Sequence, residues 1–164
     1  MDVADLNELS AEEARALLRP CLDVERWVEG VVAARPFAGI EACLETARTA
    51  AHPLAGQEIE DALRHHPRIG EKASGESEEA AHSRREQAGL GTLGDTVEAQ
   101  LAAGNAEYER VFGRVFLIRA AGRSAEEILA ELQRRLANSP EEELRETGQQ
   151  LEEIAVLRLE EMLR

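Results

Sequence analysis

Along most of the chain apolar residues return every three or four positions, and the blocks they form are separated by polar, capping and helix-breaking residues. Ile128, Leu129, Leu132 and Leu136 share one helical face, as do Leu144, Leu151, Ile154, Leu157 and, roughly, Met162. Three blocks open on a serine with a glutamate three residues later: Ser10-Ala11-Glu12-Glu13, Ser124-Ala125-Glu126-Glu127 and Ser139-Pro140-Glu141-Glu142. In that box the hydroxyl and the carboxylate each satisfy an orphan backbone N–H. The third box also puts proline at the first helical position, where its missing N–H costs nothing. From these anchors the pattern predicts helices at about 10–19, 21–34, 38–50, 56–65, 77–89, 94–111, 124–137 and 140–163. Opposite the apolar stripes lie charge pairs such as Glu131–Arg135 and Glu141–Arg145, read as solvated helix faces.

Two segments break the period. His66 to Glu76 is rich in Gly, Ser and Pro, and Val115-Phe116-Leu117-Ile118-Arg119-Ala120-Ala121-Gly122 is a short apolar run ended by glycine. The second reads as a buried extended or irregular passage. Its backbone N–H and C=O groups then lack helical partners, and a polar ligand could supply them.

Composition narrows the class. Aromatics are only 3% of 164 residues and Ala, Leu and Val dominate the apolar set, which favours an all-α, single-domain protein of about eight helices spanning 1–164. A formal net charge of -14, from 33 acidic against 19 basic residues, argues against a nucleic-acid partner, whose phosphates are bound through basic side chains. Cys21 and Cys43 fall on separate helices without a CxxC spacing, so neither a disulfide framework nor a zinc knuckle is expected. The absence of a leader, an 18-residue apolar run or a peroxisomal ending predicts a soluble, cytoplasmic chain with no membrane partner. Lys72, the single lysine, lies in the Gly/Ser-rich loop, a poor place for a desolvated amine, so Schiff-base catalysis is not expected.

Four histidines are candidates for proton transfer near neutral pH. His52 precedes Pro53 at a helix end and reads as a partner of that end, while His82 sits among Glu and Arg and reads as exposed. His65 and His66 are adjacent, so on a helix their side chains diverge by about 100° and would not share a metal comfortably; no metal site is expected. Pro67 pushes His66 out of the helical region, setting it at the mouth of the loop as a candidate acid/base. Downstream, Ser83, Glu86 and Gln87 lie at i, i+3 and i+4 and put a hydroxyl, a carboxylate and a carboxamide on one face.

An ordered set of motifs then carries a family likeness. His66-Pro67-Arg68-Ile69-Gly70, Ser83-x-x-Glu86-Gln87-Ala88-Gly89-Leu90, Asn105-x-x-Tyr108-x-x-x-Phe112-Gly113 leading into Phe116-Leu117-Ile118, and Arg134-Arg135-Leu136-Ala137-Asn138-Ser139-x-x-Glu142 together resemble the OHCU decarboxylases. That family converts 2-oxo-4-hydroxy-4-carboxy-5-ureidoimidazoline (OHCU), formed from urate, into (S)-allantoin and CO2. The resemblance implies an all-helical fold, a homodimer and no cofactor. It implies catalytic roles for His66 and Glu86, and substrate contacts from Pro67, Ser83, Gln87 and the backbone at Ile118 and Ala120. Where some members carry an arginine directly after the apolar run this chain has Ala121, and Arg123, or else Arg119, is expected to supply that charge. The alternative from a different class is a non-catalytic helical module that binds a partner in an apolar groove; a metal-dependent hydrolase is a third.

Overall fold

The computed structural model describes residues 1–66, 82, 86 and 95–164. Among them the chain forms eight helices and no strand: α1 (Val3–Glu8), α2 (Ala11–Leu18), α3 (Glu25–Ala33), α4 (Ile40–Thr49), α5 (Gly56–Leu63), α6 (Asp95–Phe112), α7 (Ala125–Arg135) and α8 (Pro140–Leu163). Seven of these match predicted helices. The eighth expected helix, 77–89, lies outside the described residues except for His82 and Glu86, both helical.

The ends explain the matches. Ser10 accepts from the Glu13 amide at 3.2 Å while Glu13 accepts from the Ser10 amide at 2.9 Å, a complete box. At Ser124 and Ser139 the serine half is seen, each hydroxyl accepting from the third amide of its helix. The pattern missed α1, whose box is built from two aspartates: Asp2 accepts from the Asp5 amide at 3.0 Å and Asp5 from the Asp2 amide at 2.8 Å. The predicted 21–34 helix starts late, at Glu25, because Cys21 and Leu22 turn back onto the Leu18 carbonyl.

Helix α8 is the axis of the larger core, packing on α4 and α5, while α3 bridges α2 and α4. Trp27 lies at its centre, fully buried with its indole N–H donating to the Ala47 carbonyl at 2.8 Å. A second, smaller core joins α6 and α7 to the passage after α6: Leu101, Tyr108, Phe116, Ile118, Ala120, Ile128 and Leu132. Gly104 permits that junction, since a Cβ there would meet Leu132 Cδ2 at 2.5 Å. Gly113, at φ 71°, ends α6 in the left-handed region and sends the chain into the passage.

One predicted face is rotated. The buried stripe of α8 is Leu151, Ile154, Ala155, Arg158 and Leu159, and Leu157 is exposed. Arg135, read as half of a solvated pair with Glu131, is 1% exposed. It bonds Glu143 on α8 through Nε at 2.9 Å, leaving Glu131 to Arg134. Tyr108 donates to the same carboxyl group and Asn138 Nδ2 reaches its other oxygen at 3.0 Å, so α6, α7 and α8 meet on one buried acidic side chain. Burial, with Glu143 adding, pushes the Tyr108 hydroxyl well above its usual pKa. Three residues of the quoted motifs, Tyr108, Arg135 and Asn138, are thus spent on a structural joint.

Cys21 and Cys43 are buried and unbridged, and burial pushes the Cys43 thiol up to about 11. Among the described residues no helix is long and apolar enough to cross a membrane.

Candidate functional site

Helix α5 ends at Leu63, and Arg64 and His65 finish the turn. His66 has left the helix, as the following proline predicts, with its N–H still tied to the Leu63 carbonyl at 3.1 Å. The two histidines then part. His65 is exposed and points Nε2 toward Asp23 at 3.5 Å, whereas His66 is partly buried. Burial, the Arg158 guanidinium and the His65 ring together lower the His66 pKa from 6.5 to about 3. Its imidazole is neutral at physiological pH, in the form that accepts a proton.

Glu86 meets α8 through a two-toothed ion pair. Arg158 Nε donates to Glu86 Oε1 at 2.7 Å and Nη2 to Oε2 at 3.3 Å, and Nη1 donates to the Pro20 carbonyl at 3.0 Å. The Arg158 side chain is 1% exposed and Glu86 20%, so the carboxylate is oriented by the guanidinium and set at the edge of the core. Arg158 therefore links the two expected catalytic residues: it holds Glu86 and lies close enough to His66 to oppose its protonation. The sequence reading missed it. Its signal was a lone arginine in register with the apolar stripe Leu151, Ile154, Ala155, Leu159, a place where a charge needs a buried partner.

The passage after Gly113 is buried and non-helical as predicted, with Phe116, Leu117, Ile118 and Ala120 all under 8% exposed. Protein groups take several of its polar atoms. Arg135 Nη1 donates to the Leu117 carbonyl at 2.7 Å, and Gln150 Oε1 accepts from the Arg119 amide at 2.9 Å. The two arginines proposed for substrate charge are engaged locally: Arg119 with Glu153 and the Ala121 carbonyl, Arg123 with the Arg119 carbonyl. The guanidinium found beside His66 and Glu86 is that of Arg158. Pro67, Ser83 and Gln87 lie outside the described residues.

Two other histidines depart from or refine their readings. His82 is buried, 4% exposed, with Nδ1 at 4.0 Å from Glu161 on α8 rather than in solvent. His52 is exposed and pairs with Glu152 at 2.9 Å, from a turn whose His52–Pro53 peptide is cis.

On an all-helical frame, His66, held neutral, and the Glu86–Arg158 ion pair are brought together through Arg158, groups able to move protons and to bind polar atoms. The OHCU decarboxylase family model matches residues 7–160. The chain is 32% identical over 169 residues to the 2-oxo-4-hydroxy-4-carboxy-5-ureidoimidazoline decarboxylase of Amia calva, covering 99% of this chain and 95% of that one. It is 37% identical over 134 residues to the protein of the same description from Mus musculus, covering 79% and 74%. It is also 25% identical to the uric acid degradation bifunctional protein of Bacillus sp. (strain TB-90), of which it spans only 32%. In fold it is similar to a crystal structure of OHCU decarboxylase in the presence of (S)-allantoin, with a TM-score of 0.71 at 24% identity, covering 90% of this chain and 96% of that one. This chain belongs to the OHCU decarboxylase family.

Proposed function

We propose that this protein decarboxylates 2-oxo-4-hydroxy-4-carboxy-5-ureidoimidazoline to (S)-allantoin and CO2, as a carboxy-lyase of urate degradation. The observation that carries the reading is the Arg158-centred cluster, in which the guanidinium binds Glu86 and helps burial to hold His66 neutral.

The chemistry asks for little more. The carbon that loses CO2 bears a hydroxyl and neighbours a C=N bond. The electron pair left by CO2 forms a C=C bond, and the displaced imine pair takes a proton on nitrogen. Loss of the hydroxyl proton then gives the carbonyl, and a proton delivered to the neighbouring carbon from one face sets the (S) centre. The electron sink belongs to the substrate, so the protein's task is to orient the carboxylate and move protons. Neutral His66 accepts the hydroxyl proton and returns one to carbon. Glu86, fixed by Arg158, accepts from the ureido or ring N–H groups. The Ile118 and Ala120 amides donate to substrate oxygen, and Pro67, Ser83 and Gln87 complete the contacts. The enzyme acts as a cytoplasmic homodimer, a part of the proposal that rests on the family likeness and on the acidic composition.

The test is the handedness of the product. The substrate decays unaided to racemic allantoin, so circular dichroism of the product against an enzyme-free control reads catalysis directly, and an (S)-excess is expected. His66→Ala should lose about 10²–10⁴ in rate. Racemic product from the wild-type protein would refute the proposal, and wild-type rate and optical purity from His66→Ala would refute the role of His66.

A further inference from the structure

We propose that Arg123 is a positioning residue: it aims the Ala120 amide by clamping the peptide that carries it, and does not touch the substrate itself. The inference rests on the reading that Ile118 and Ala120 present their amides to a ligand.

A trans peptide is planar, with its C=O and N–H pointing in opposite directions, so a group that holds the oxygen also sets the direction of the hydrogen. Two peptides of the buried passage are held in this way. Arg135 Nη1 fixes the Leu117 carbonyl at 2.7 Å, which turns the Ile118 N–H away from Arg135. Arg123 Nε fixes the Arg119 carbonyl at 3.0 Å, which turns the Ala120 N–H away from Arg123. Among the described residues neither of these two amides has a hydrogen-bond partner, although Ile118 is 3% and Ala120 7% exposed. Buried donors without partners are costly, and a ligand oxygen would satisfy them.

The local sequence brings Arg123 to its carbonyl. The Arg123 amide donates to the Ala120 carbonyl at 3.1 Å, closing a four-residue turn whose third residue, Gly122, has φ 80°. Glycine meets that requirement of the turn without strain. The chain reverses there, and the Arg123 side chain returns over the Arg119 peptide. Arg119 braces the same turn, with Nη1 on the Ala121 carbonyl at 3.0 Å.

The donor is Nε, and this makes the proposal separable from a charge role. In glutamine the amide nitrogen occupies the place that Nε has in arginine, with no charge; in lysine a methylene occupies it, with the charge retained. Arg123→Gln, Arg123→Lys and Arg123→Met are compared in the full-length protein by kcat and KM for (S)-allantoin formation, and by the ¹H–¹⁵N resonance of the Ala120 amide. Arg123→Gln should stay within about three-fold of wild type, while the Lys and Met variants should lose about ten-fold or more in kcat/KM, the scale set by misplacing one donor to a reacting oxygen. The Ala120 resonance should move in the Lys and Met variants and hold in Gln, with thermal midpoints alike in all three. Retained activity in Lys with loss in Gln would overturn the proposal in favour of a charge contact, and so would equal behaviour of all three variants. The resonance decides the clamp even if wild type forms no (S)-allantoin, an outcome that would instead remove the decarboxylase reading.

Discussion

The state of His66 has a consequence for stability that needs no substrate. In the unfolded chain its imidazole takes a proton near pH 6.5, whereas in the folded protein burial, Arg158 and His65 delay that to about pH 3. Between these values the unfolded chain binds a proton that the native state does not. Stability therefore rises with pH across the window and falls as pH drops through 6.5. One pKa unit corresponds to about 1.4 kcal/mol, so acidification from pH 7.5 to pH 5 should cost about 2 kcal/mol through this one group. The perturbation is His66→Asn, which removes the titration and keeps a polar side chain. Urea unfolding of both proteins at pH 7.5 and pH 5 isolates the term, because the carboxylates whose pKa values are lowered by arginine partners, such as Glu29, Glu58 and Glu131, are common to both and cancel in the difference. The wild type should lose about 2 kcal/mol more than the variant over that interval. Equal losses, or an NMR titration of the His66 ring with a midpoint near 6.5, would refute the reasoning and with it the neutral base.

Three further outcomes follow from the same contacts. Arg158→Met strands the Glu86 carboxylate at the core edge and should cost about 3 kcal/mol in urea unfolding, with Glu86→Gln in the same chain recovering part of it; a loss below about 1 kcal/mol would contradict the pairing. Tyr108→Phe removes one donor from the buried Glu143 and should cost about 1.5–3 kcal/mol while leaving the optical purity of the product intact, since Tyr108 belongs to the joint between α6, α7 and α8. Ser10→Ala opens the complete capping box of α2 and should lower stability by about 1 kcal/mol at unchanged kcat, and an unchanged unfolding midpoint would argue against the box.

Much of the framework was legible in the linear order because helix ends are local. A serine can cap only the amides just ahead of it, and an apolar residue three or four positions on shares its face whatever lies across from it. Helix α1 escaped because two aspartates do there what Ser and Glu do at α2. The departure of His66 from the helix was equally local, imposed by the ring of Pro67.

Charge was where the linear pattern misled. Arg135 has Glu131 one turn back and looks like half of a surface pair, yet it is buried against Glu143 from the next helix. Arg158 looks like one more arginine in an acidic helix until α8 turns it inward onto Glu86, 72 residues away in sequence. The motifs named Tyr108, Arg135 and Asn138 without showing that they serve a joint, because a motif records that a residue type is required and not what it touches.

By itself, then, the sequence determined an all-helical chain, seven of its described helices to within a few residues, the exit of His66 from α5 and the likeness that made His66 and Glu86 candidates. Only the tertiary structure decided that Arg158 binds Glu86 beside His66, that His66 is neutral, and that Arg123 turns to a backbone carbonyl. The division is physical: caps and turns are settled by neighbours within four residues, whereas the partner and protonation state of a buried charge depend on which distant element arrives to replace its water.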